Sequence, residues 1–202
     1  VLTDFIRTGI YDRNRRFEKT LSPSMDILIS SNLERLLFET TGHDAGKVSM
    51  WMEQLKNQGR YEIDSETKDK VQSIFWGDFC DDVQTLETIR AVWEERRYLL
   101  DTHTAVAVKV YQNYEKETGD HTPTAIMSTA SPFKFGSSVA RALFSPEAIQ
   151  GKDEFTLLNM LSTATGIQIP KGIAGLENRE IRHKTRTKPE DMEQTVLNFL
   201  QL

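Results

Sequence analysis

The sequence predicts a helix-rich α/β chain. Capping residues followed by apolar positions at helical spacing recur along it and mark about eight helices. Roughly three or four short apolar runs read as strands. One of them, Ala125-Ile126-Met127, leads into a hydroxyl-rich turn, Ser128-Thr129-Ala130-Ser131-Pro132-Phe133-Lys134-Phe135, and then into Ser138-Val139-Ala140-Arg141-Ala142-Leu143. Strand, turn, helix is the order that places polar side chains at the carboxyl end of a strand, where open α/β sheets hold their ligands.

The first 30 residues show irregular periodicity, with turn signals at Thr8-Gly9 and Ser22-Pro23. Ser31-Asn32-Leu33-Glu34 has capping-box spacing and starts a helix with Leu33, Leu36 and Leu37 on one face, ended by Gly42. Residues 44–100 read as a helical insertion. Asp44 caps a helix carrying Val48, Trp51, Met52 and Leu55, stopped by Gly59. Ser65 caps the next, with Val71, Ile74 and Phe75 inward, and Asp81 or Asp82 a third, with Val83, Leu86, Ile89, Val92 and Trp93 inward. The tryptophans read as core.

Asp101 then caps a helix over 102–117 with an apolar stripe of Val106, Val110 and Tyr114, closed by Gly119. A strand over 124–128, the hydroxyl turn, and helices over about 134–143 and 154–164 follow. After a Gly- and Pro-punctuated loop, residues 181–187 read as a basic edge strand. A last helix, introduced by Thr187-Lys188-Pro189-Glu190, buries Met192, Val196, Phe199 and Leu200.

Composition sets limits. The chain has 202 residues, 38% of them apolar, and a net charge of −5. That balance argues against a nucleic-acid partner. No apolar run reaches the ~18 residues that cross a bilayer. A single cysteine, Cys80, excludes an internal disulfide framework and fits a reducing, cytoplasmic setting. The histidines His43, His103, His121 and His183 form no HxH or HExxH spacing, so no metal site is expected. Ser128 or Ser131 with His103 is the only nucleophile–base pairing in view.

Four segments carry a family resemblance. Asp101-Thr102-His103-Thr104-Ala105-Val106-Ala107 is similar to the D-P-H-T-A-V-A segment of threonine synthases. Ser22-Pro23-Ser24-Met25-Asp26-Ile27, with Ser30-Ser31-Asn32-Leu33-Glu34-Arg35-Leu36, resembles their S-P-S-M-D-I and S-N-x-E-R-L signatures. The hydroxyl turn matches S-T-A-x-P-x-K-F, and Asp4-Phe5-Ile6-Arg7-Thr8-Gly9 matches D-F-x-x-T-G. They stand in family order. The one departure is Thr102 where the family usually has Pro.

The resemblance implies a tryptophan-synthase-like (type II) pyridoxal-phosphate fold, here a fragment. Residues 1–43 would belong to the cofactor-binding α/β domain, 44–100 to the helical insertion, and 101–202 to the rest of the α/β domain and the carboxyl-terminal helices. The implied reaction converts O-phosphohomoserine and water to threonine and phosphate. A neutral hydroxyl in this family faces the pyridine nitrogen and leaves it largely unprotonated. By position Thr129 takes that role, with Ser128 second. Lys134, Asp101 and His103 are the implied substrate-side residues.

The family's Schiff-base lysine lies in an F-K-D-like motif and its cofactor-phosphate loop in an S-G-N-F-G-D-like turn. Neither occurs in these 202 residues. The expectation is therefore a carboxyl-terminal portion, inactive alone, that depends on a missing amino-terminal part and exposes apolar surface without it. The competing expectation is a non-catalytic module that binds a phosphorylated metabolite or a partner protein.

Overall fold

The computed structural model describes all 202 residues and divides them into two compact units, Val1–Ile169 and Pro170–Leu202. The first unit begins with α1 (Leu2–Thr8) and β1 (Ile10–Asp12), then a 3₁₀ turn at Pro23–Met25 and α2 (Leu33–Thr40). Next come α3 (Ala45–Gln58), β2 (Arg60–Glu62), α4 (Ser65–Ile74) and α5 (Asp82–Arg96). It continues with α6 (Thr102–Thr118), a 3₁₀ turn at Pro132–Phe135, α7 (Gly136–Leu143), α8 (Pro146–Ile149) and α9 (Glu154–Thr165).

Helix starts follow their capping chemistry. Asp44, Asp81 and Asp101 each accept from amides of the following turn, and Asp81 with Gln84 completes a capping box. Asp64, one residue before the expected Ser65, caps α4. Before α2 the cap position is Asn32 rather than Ser31, and no side chain bonds the free amides there. Gly59, Gly119 and Gly166 close α3, α6 and α9 with φ near 70°, a left-handed turn that costs a residue without Cβ little.

β1 and β2 pair antiparallel, with Tyr11 opposite Tyr61. Their rings stack at 5.3 Å and 4°, and Trp51 stacks on Tyr61 at 6.4 Å. Around them Phe5, Leu33, Leu37, Val48, Ile63 and Val71 form a buried cluster. Residues 44–100 thus carry three helices and one strand, and that strand's partner lies in residues 1–43. Trp51 is core, as expected; Trp76 and Trp93 are half-buried, with the Arg7 and Arg97 guanidinium groups over their rings.

Two expected strands do not form. Residues 124–128 and 181–187 are coil. A strand needs a neighbour for its N–H and C=O groups, and β1 and β2 pair only with each other. The apolar faces of two helices also differ from expectation. Val71 of α4 is buried, but Ile74 and Phe75 are exposed, as is Val83 on α5.

In the second unit, 3₁₀ turns at Leu176–Asn178 and Pro189–Asp191 precede α10 (Met192–Leu200). Met192, Val196, Phe199 and Leu200, expected to be buried, are all exposed. The expectation rested on apolar spacing, and spacing shows which face is ready for a partner, not that one is present. The Thr195 hydroxyl bonds that of Thr187 at 2.9 Å, tying the helix to the stretch before it.

Candidate functional site

The site is built upward from the first turn of α6. Asp101 is 1% exposed, yet its carboxylate has several partners. Oδ1 accepts from the His103 amide at 2.9 Å and the Thr104 amide at 3.3 Å, and Oδ2 accepts the Thr104 hydroxyl. A carboxylate can be buried this way because donors replace the water it loses. Thr102, the residue that departs from the family pattern, sits at the first helical position and is wholly buried. That position favours Pro because its amide is not needed by the helix. Here the Thr102 hydroxyl instead lies 3.4 Å from His103 Nδ1.

His103 is 5% exposed and joins three segments. Its Nε2 accepts from the Ser24 amide at 3.1 Å. That places the ring proton on Nδ1, which faces Asp101 Oδ1 at 3.3 Å. Its ring meets Phe135 at 4.7 Å between centroids. The Ser22-to-Asp26 segment, the first turn of α6 and the hydroxyl turn therefore meet at one imidazole.

The Ser22–Asp26 segment is pinned by its own polar bonds. Thr20 donates both amide and hydroxyl to Asp26, and buried Ser22 bonds the Thr20 hydroxyl at 3.1 Å. Leu21 N–H reaches Asp82 at the start of α5. The Ser24 side chain is exposed, and its hydroxyl makes no hydrogen bond within the chain.

On the other flank, Ser128 Oγ lies 3.5 Å from the Thr104 hydroxyl and 3.5 Å from the Tyr98 hydroxyl. Thr129 is exposed in coil, with no hydrogen bond from its hydroxyl. Ser131 caps the 3₁₀ turn through the Phe133 amide. Lys134 is exposed, forms no ion pair, and holds its ammonium 5.5 Å from the Phe135 ring centroid.

Asp101, His103, Ser128 and Lys134 are thus linked through contacts. Thr129 is joined to them only through the chain. Sequence reasoning did not single out Thr104, Tyr98 or Ser24. The D-x-x-T spacing was the available signal for Thr104, because a Thr three residues after a cap faces back to it. A hollow of about 440 Å³ lined by Phe144, Thr156, Asn159, Met160, Thr163 and Ala164 holds none of these residues. No three His, Cys, Asp or Glu side chains come together at metal-binding spacing.

Residues 104–196 match the family model described as threonine synthase, C-terminal. Human threonine synthase-like 1 is 39% identical over 71% of this chain and 19% of its own length. Threonine synthase of Saccharomyces cerevisiae is 36% identical over 71% of the chain and 30% of its own length. A crystal structure of PLP-bound threonine synthase from Brucella melitensis superposes with a TM-score of 0.63 at 35% identity, covering 78% of this chain and 33% of that one. The yeast threonine synthase structure gives 0.65 at 30%, covering 79% and 35%. The chain spans between 19% and 35% of the length of these relatives.

The architecture is a helix-rich fragment of the tryptophan-synthase-like fold of these enzymes. The chain is related to the carboxyl-terminal portion of threonine synthases.

Proposed function

We propose that this chain is the carboxyl-terminal part of a threonine synthase. The full-length polypeptide would convert O-phosphohomoserine and water to threonine and phosphate, in the cytoplasm, with pyridoxal phosphate. The observation that carries the reading is the meeting of three family-like segments at His103, through the Ser24 amide, Asp101 and the Phe135 ring.

The donor set fits part of a coenzyme site. Ser128, beside a buried polar platform, and the exposed Thr129 that follows it carry neutral hydroxyls, the donors that a pyridine nitrogen accepts. Lys134 is the nearest lysine in sequence to these hydroxyls, and it belongs to the turn motif. Covalent anchorage and the cofactor-phosphate loop therefore fall to the amino-terminal part.

When bound, pyridoxal phosphate supplies the sink for negative charge at the α and β carbons. The chain's own residues would do three things. Thr129, with Ser128 beside it, would meet the ring nitrogen. Lys134, a cation without a carboxylate partner, would meet the substrate phosphate. Asp101 and His103, with their polar atoms turned onto internal partners, would form the cleft wall.

The isolated chain is expected to be inactive. Mixed with pyridoxal phosphate and dialysed, it should retain no stoichiometric coenzyme absorbance. A band that survives dialysis and maps to one lysine after borohydride treatment would refute this. A second reading, a non-catalytic module for a phosphorylated metabolite or a partner protein, draws on the 39% identity to a relative named only synthase-like. The two separate on whether the full-length protein holds the coenzyme.

A further inference from the structure

We propose that His103 is a proton-operated latch: protonation of its imidazole releases the Ser22–Asp26 segment from the first turn of α6. The inference does not rest on the proposed function, and its test needs neither coenzyme nor substrate.

One hydrogen bond ties this segment to the rest of the chain. The Ser24 amide donates to His103 Nε2 at 3.1 Å. Every other hydrogen bond of residues 22–26 stays within residues 20–27. Ser22 bonds the Thr20 hydroxyl, Met25 N–H donates to the Ser22 carbonyl at 2.9 Å, Asp26 N–H donates to the Pro23 carbonyl at 3.2 Å, and the Asp26 carboxylate accepts from Thr20. Pro23, Ser24 and Met25 are exposed, so packing holds them little. The flanks are fastened separately. Leu21 N–H donates to Asp82 at 2.9 Å, and the Tyr11 hydroxyl donates to the Leu28 carbonyl at 3.0 Å. A stretch fixed at both ends, with one tie in its middle, can open without unfolding its neighbours.

That tie requires a neutral ring. Nε2 accepts the Ser24 proton through its lone pair, and an imidazolium has none. Protonation would set two N–H groups against each other. The rest of the surroundings accommodates the charge. On α6, Asp101 Oδ1 lies 3.3 Å from Nδ1 and the Thr102 hydroxyl 3.4 Å from it. From the 3₁₀ turn at Pro132–Phe135, the Phe135 ring meets the imidazole at 4.7 Å. The exposed Lys134 ammonium sits 5.5 Å from the Phe135 ring centroid, and its repulsion is screened by solvent. The carboxylates of Asp26 and Asp82 are taken up by Thr20 and Leu21. His103 therefore takes up a proton more readily in the released state than in the latched one. Acid shifts the equilibrium toward release. Imidazole is the side chain suited to this, because its charge changes between about pH 5 and 8.

The test is hydrogen exchange in the full-length protein, read by mass spectrometry from about pH 8 to about pH 5 and corrected for intrinsic exchange rates. Protection of residues 22–26 should fall by up to about tenfold per pH unit, the limit for one proton, while α6 keeps its protection. His103→Gln offers the Ser24 amide a carbonyl acceptor that does not titrate, and its protection should change less than about twofold. His103→Leu offers no acceptor, so protection should be low and independent of pH.

Wild-type protection that does not vary with pH overturns the inference. So does a Gln variant that follows the wild-type curve, or a loss shared by α6, which is acid unfolding rather than release. If neither variant folds, the wild-type curve alone decides, and a loss confined to residues 22–26 supports the latch.

Discussion

The Thr104 hydroxyl bonds the buried Asp101 carboxylate three residues before it and lies 3.5 Å from the Ser128 hydroxyl, 24 residues further along the chain. One side chain thereby couples the cap of α6 to the hydroxyl turn. Asp101→Ala would remove the cap and leave buried donors without partners. The expected loss is about 3 kcal/mol, combining a cap with unsatisfied buried groups. Asp101→Asn keeps one acceptor and should lose about half of that. Urea denaturation monitored by tryptophan fluorescence reads both, and a loss under about 1 kcal/mol for the Ala variant would remove Asp101 from its structural role.

The Tyr11–Tyr61 stack makes stability sensitive to alkali. Burial pushes the Tyr61 phenol well above its ordinary value, and the neighbouring Tyr11 adds to the shift. Tyr11 is also raised, chiefly by burial. For a phenol whose folded value is raised, the neutral form favours the folded state. The stabilisation is complete below the unfolded tyrosine value near 10 and is lost as pH climbs through the folded value. Tyrosinate absorbance should therefore rise in two phases, with the second coincident with loss of far-ultraviolet circular dichroism. A single phase near pH 10 with the fold intact would contradict the buried stack.

Gly136 opens α7 where that helix meets α9. A Cβ there would lie 2.3 Å from Leu158 Cδ2 and 3.3 Å from its Cγ. Leu158 is 3% exposed, so it has little room to move aside. Gly136→Ala should cost about 1–3 kcal/mol by overpacking. Thermal unfolding checks this, and a melting temperature equal to wild type would show that the α7–α9 contact is looser.

Apolar side chains on the first unit lack cover. Phe79, Ile74 and Val83 are 65%, 68% and 64% exposed. Where exposed large side chains gather into a contiguous patch, they mark partner surfaces. The isolated chain should self-associate at micromolar concentration, as read by light scattering, and Ile74→Ser with Phe79→Ser should shift it toward monomer. A clean, thermostable wild-type monomer would weigh against a chain that depends on an amino-terminal part.

The helices were largely legible because their signals are local. Asp44, Asp81 and Asp101 cap as their spacing implies, and glycines close α3, α6 and α9. The strands were not legible. β1 and β2 have three residues each, too few for a period of two to stand out, and residues 124–128 looked like a strand but have no neighbour to bond. Within the site, Asp101 could be read as a cap from its position. The Ser24–His103 bond spans 79 residues and leaves no local trace. The exposed face of α10 shows the same limit, since apolar spacing does not reveal what covers it.

The most direct measurement is phosphate and threonine release from O-phosphohomoserine by the full-length protein loaded with pyridoxal phosphate, run beside the 202-residue chain alone. Equimolar threonine and phosphate from the full-length protein, and none from the isolated chain, is the expected result. A coenzyme-loaded full-length protein that releases neither product would contradict the assignment.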